Sequence, residues 1–142
     1  MTYAAKQDLI DLFGENELLR LTDRASPQTG VIDDVVVTRA LEDADAEVNA
    51  YLSRQFTLPL PEVPRLVLNL ACDVARYKLH SEHAPEQVAE RYKRAVAMLK
   101  ALAEGKASLG DDEASASLPA PSGGPQVSAP SRTFSRDTME GY

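Results

Sequence analysis

The chain has 142 residues with 15 basic and 22 acidic side chains (net charge -7), 44% hydrophobic residues, 6% aromatics, no tryptophan and one cysteine. That length suits one domain plus an appendage, and the apolar share is enough for a modest core. The acidic balance and scarce aromatics exclude a basic nucleic-acid footprint and stacking platforms for single strands, and the lone Cys72 excludes an internal disulfide or a multi-cysteine zinc site.

Lys6 to Phe13 has Leu9, Ile10, Leu12 and Phe13 at helical spacing, with Gly14 as a stop. Glu15 to Leu21 forms a second short helix on Leu18, Leu19 and Leu21, and Thr22 to Gly30 reads as a loop. Asp33 is a good N-cap for a long helix reaching about Gln55. Val37, Leu41, Ala44, Val48 and Tyr51 step by four and three along it, as one buried stripe does. Pro59 and Pro61 end it, and Pro64 opens a helix to about His80 whose stripe is Val67, Leu70, Val74 and Tyr77. Pro85 opens the last helix, which ends before Gly105 and aligns Val88, Tyr92, Ala95, Leu99 and Leu102. The β-branched run Val35-Val36-Val37 falls inside a helical period, so no strand is read there.

The predicted fold is all-α: an antiparallel bundle of three main helices plus short N-terminal helices, with an extended C-terminal arm. Residues 1–105 form the helical domain. Residues 106–130, rich in Pro, Ser and Gly, bury too little apolar surface to fold alone and read as a linker. Residues 131–142 change again, because Arg132 to Tyr142 carries two aromatics, a methionine and four charges. Apolar anchors on a charged segment behind a tether suit a peptide that docks on a partner. The partner-binding candidates are Arg132, Phe134, Arg136, Asp137, Met139 and Tyr142.

No run approaches the ~18 to 20 apolar residues of a membrane span. The N-terminal residues lack the basic stretch and apolar core of a signal peptide, so a cytosolic site of synthesis is expected. The acidic run Glu42-Asp43-Asp45-Glu47 is expected to be the solvated face opposite the Leu41/Val48 stripe. A metal-binding helical enzyme using that run with His80 and His83 is the alternative, although neither histidine has a partner at zinc spacing. Cys72 reads as a buried structural thiol, no G-x-S-x-G occurs, and Asp23 and Arg24 read as loop-capping residues. A helical regulatory module on nucleic acid would need Arg91, Lys93, Arg94 and Lys100 as a basic face, but these alternate with Glu90 and Glu104. The chain is therefore read as a non-enzyme without cofactor or metal.

Several stretches resemble a family of small proteins of Mu-like tailed bacteriophages. They are Tyr3-Ala4, Asp8 to Gly14, Leu21-Thr22-Asp23, Ala40 to Val48, Tyr51-Leu52, Leu58-Pro59-Leu60, Val63-Pro64, Leu70 to Tyr77 and Phe134 to Met139, with a departure at Glu140. The resemblance implies a head–tail connector, or adaptor, assembled in the host bacterial cytoplasm and residing in the virion neck. It implies a homo-oligomeric ring, expected to be twelve-fold, between the portal protein and a tail-side connector or terminator protein. DNA would pass through its channel without specific binding, and acidic walls suit that role because they repel phosphates.

Overall fold

The computed structural model describes residues 2–109, and over them the protein is all helical with no strand. The order is α1 (Lys6–Phe13), α2 (Glu15–Thr22), α3 (Asp34–Leu52), α4 (Arg65–His80) and α5 (Glu86–Ala103). The expected docking residues Arg132, Phe134, Arg136, Asp137, Met139 and Tyr142 lie outside the described residues, as do residues 110–130 of the linker.

Local chemistry sets the helix ends. Asp8 reaches back to the Ala5 N–H at 2.7 Å and starts α1. Gly14 takes φ 91°, a conformation that favours glycine, and turns the chain directly into α2. Asp33 caps α3 as expected, with Oδ1 accepting from the Val35 and Val36 N–H groups at 2.9 and 3.4 Å. Pro64 and Pro85 precede the first turns of α4 and α5. At the far end of α4, Arg24 donates from Nη2 to the Leu79 carbonyl at 3.0 Å and fills one of the orphan acceptors there.

The helices α3, α4 and α5 pack on one another pairwise, and α1 and α2 lie against α3 and α4. Leu41, Val48, Leu70, Val74 and Leu99 are buried together as their spacing predicts, while Tyr92 is half-buried at the edge of the core. Its ring stacks on Tyr77 with centroids 4.1 Å apart, and its hydroxyl donates to Glu47 at 2.8 Å. Burial and the Glu47 carboxylate push that phenol up to about 12.

Three segments outside the helices also enter the core. Tyr3 and Ala4 are buried, with the Tyr3 N–H donating to Asp45 Oδ1 at 3.0 Å and its hydroxyl donating to Asn49. Phe56 and Leu60 from the connection after α3, and Leu109 after α5, are buried too. Helix α3 stops at Leu52, short of the expected Gln55, where the Arg54 and Gln55 N–H groups shift to the carbonyls three residues back, of Tyr51 and Leu52. That turn carries the Phe56 ring into the core.

Candidate functional site

A groove of about 730 Å³ runs between α4 and α5. Leu66 and Leu70 from α4 and Ala95 and Met98 from α5 supply its apolar surface, and Met98 is 39% exposed. Charges surround that floor. Asp73 and Arg91 form an ion pair at 2.9 Å, Glu90 pairs with Lys93 at 3.2 Å, and Glu86 and Arg94 make no ion pair among the described residues. Burial outweighs the neighbouring guanidinium groups at Asp73 and holds its carboxyl above the usual range. Two of the basic residues of α5, Arg91 and Lys93, are therefore engaged within the chain. Arg91 also lies over the Phe13 ring, 5.4 Å from its centroid, and Arg76 covers the same ring at 4.4 Å. Arg76 in turn donates from Nε to Glu17 at 2.6 Å, so α1, α2, α4 and α5 are tied around one aromatic ring.

The acidic run does not form a wholly solvated face. Glu42 and Asp43 are exposed, but Asp45 is 8% exposed and Glu47 is half-buried. Asp45 stands four residues after Leu41 and three before Val48, which places it on the buried stripe rather than opposite it. There it accepts the Tyr3 N–H, and burial raises its carboxyl above the usual range. Glu47 is taken up by Lys78 at 2.8 Å and by Tyr92. Among the described residues no group of three or more His, Cys, Asp and Glu side chains is placed to hold a metal ion, so the structure does not gather the acidic run with His80 and His83. His83 is exposed, and His80 points into a separate cavity of about 350 Å³ that Glu17, Arg20 and Arg76 also line.

Cys72 is fully buried, and burial together with the Asp8 and Asp73 carboxylates pushes its thiol up to about 12. It is a packing thiol, as its place beside the stripe predicts. Asp23 is likewise structural. Its oxygens accept from the Gly30 N–H at 2.8 Å and the Thr29 hydroxyl at 3.1 Å, and these bonds lower its carboxyl below the usual range. Asp23 and Arg24 thus cap, although Arg24 does so across the fold. Among the described residues no helix is long and apolar enough to cross a membrane.

The imidazole of His80 gives a pH signature. Its Nε2 is buried, lies 3.8 Å from Glu17 Oε1 and has no hydrogen-bond partner among the described residues. Burial lowers its proton affinity below the ordinary value of 6.5, with Arg76 acting the same way and Glu17 opposing. The unfolded chain therefore binds the proton more tightly, and this contribution to stability is present above 6.5 and lost as pH falls through the depressed folded value. The urea midpoint should fall between about pH 7.5 and about pH 5.5, and fall less in His80→Gln. Asp45 and Asp73, whose raised values act in the opposite sense, are common to both proteins, so the comparison isolates the imidazole.

The described residues thus form an all-helical body with an open groove of mixed apolar and charged lining. The profile of the family described as "Bacteriophage Mu, Gp36" matches residues 3–128, and the chain belongs to that family. It is 34% identical over 136 residues to "Gene product J" of Escherichia phage Mu, covering 96% of each chain. It is 29% identical over 142 residues to "Mu-like prophage FluMu protein gp36" of Haemophilus influenzae, covering 99% of this chain and 97% of the relative. The match to the family profile stops before Arg132, whereas the alignment with the prophage protein continues through most of the terminal segment.

Proposed function

We propose that the chain is a structural, non-enzymatic virion protein: the head-to-tail connector that forms a ring between the portal and the tail. The observation that carries this reading is its similarity, over nearly its whole length, to a gene product of phage Mu. The residues support it in three ways. A ring adaptor needs a rigid body, and α3, α4 and α5 supply one around a shared core. It needs two unlike surfaces, because a heterologous contact closes into a ring only by rotation. Glu42 and Asp43 on α3 and Lys93 and Lys100 on α5 are exposed and opposite in sign, which suits such a contact. It also needs an element that reaches beyond the body, and the segment Arg132, Phe134, Arg136, Asp137, Met139 and Tyr142 behind its Pro-rich tether fits that requirement.

Ring assembly would be templated by the portal and completed by a tail-side connector or terminator protein, with DNA passing through the channel without specific binding. The test is location. Gold-labelled antibody against the helical body should mark the neck of particles made by the encoding phage. Label confined to the capsid shell or the tail tip, or none on the virion, would overturn the proposal.

A further inference from the structure

We propose that the α4–α5 groove is the seat for the C-terminal segment, residues 131–142, of a neighbouring copy of this chain. The inference rests on the reading above that this segment docks, and it adds where and on whom. Three observations converge. The first is the open apolar floor: Leu66 is half-buried and Met98 is 39% exposed, so an aromatic anchor finds a partly formed site. A flexible thioether also adapts to a ring edge, which suits Phe134 or Tyr142.

The second is charge. Arg136 and Asp137 stand next to each other in the segment, and Glu86 and Arg94 line the groove without an ion pair among the described residues. With Phe134 at Met98 and the segment running antiparallel to α5, Asp137 comes within reach of Arg94, one helical turn before Met98, and that pairing fixes the direction. The third is length. Helix α5 has 18 residues and is about 27 Å long, so a chain leaving its C-terminal end needs only about that distance to return to its own groove. The 24 residues from Gly110 to Thr133, with a Pro-rich composition, span up to about 70 Å. Over-long tethers lower the effective concentration at a near site, whereas this reach crosses a neighbouring body.

The test uses the full chain in assembled particles, with a photoreactive benzoylphenylalanine in place of Phe134 and equal amounts of isotopically heavy and light protein. Crosslinked peptides should join residue 134 to the Leu66 or Met98 region in heavy–light pairs. Arg94→Glu should cut the yield at least fivefold, and adding Asp137→Arg should restore it, while thermal melting confirms that each variant is folded. Light–light and heavy–heavy pairs alone would show a segment seated on its own body and overturn the inference. Crosslinks elsewhere on the bundle or to another virion protein would also overturn it, yet leave the docking reading standing. Unrescued loss in the Arg94→Glu, Asp137→Arg double variant would refute the charge register. The absence of any crosslink would overturn the groove and the docking reading together.

Discussion

Val74→Asp should unfold the protein near ambient temperature or lower its melting point by tens of degrees. Val74 has no exposed surface and sits mid-helix in α4, where that helix meets α3 and α5. A carboxylate there loses hydration, with its only relief a proton taken up at a strongly raised pKa. The cost is about 4 kcal/mol or more, set against about 5 to 15 kcal/mol for a whole domain. Leu99→Ala, also fully buried, removes apolar contact without adding charge and should cost about 3 kcal/mol, leaving a folded but weakened protein. Val35→Asp is the control. Val35 is 78% exposed at the start of α3, so its replacement should change stability by about 0.5 kcal/mol or less. Circular dichroism melts of the three variants check the order, and a Val74→Asp protein that melts like wild type would contradict the assigned core.

Helix positions were legible because their determinants are local. Asp33 announces its own cap, Gly14 its turn, and Pro64 and Pro85 the starts of α4 and α5. The four-three stripes identified the core for the same reason, since burial on a helix repeats with its geometry. Where the reading departed from the structure, the cause was a contact distant in sequence. Tyr3 reaches Asp45 across 42 positions, and nothing near Asp45 signals that its partner is a backbone N–H of the N-terminal segment. One signal was present: Asp45 occupies a stripe position between Leu41 and Val48, and an acid there requires an internal donor. The pairing of Arg91 was hidden for a similar reason, because Asp73 and the Phe13 ring engage it from other helices. Leu66 and Met98 look like ordinary stripe residues in the sequence, and only the packing of α4 on α5 leaves them open as a groove floor.

Removal of the terminal segment has the second large expected effect, and it acts on assembly rather than folding. The buried core ends at Leu109 among the described residues, so a chain cut after Gly124 retains every core contact described above. Its melting point should match that of the full chain within about 2 °C, because every core contact among the described residues is kept. Assembly should fail nonetheless. Phe134, Met139 and Tyr142 are the large apolar anchors of the segment, each worth on the order of 2 kcal/mol when buried. In a ring each docked segment raises the effective concentration for the next, so losing all of them compounds the loss. Phe134→Ala should weaken joining, whereas Ser135→Ala should leave it nearly unchanged. The decisive measurement is a count, by electron microscopy, of joined particles from phage that carry the cut after Gly124. The connector account predicts filled heads and complete tails lying apart, with joined particles reduced at least a hundredfold. Joined particles at the wild-type frequency, containing the shortened chain in normal amount, would contradict it.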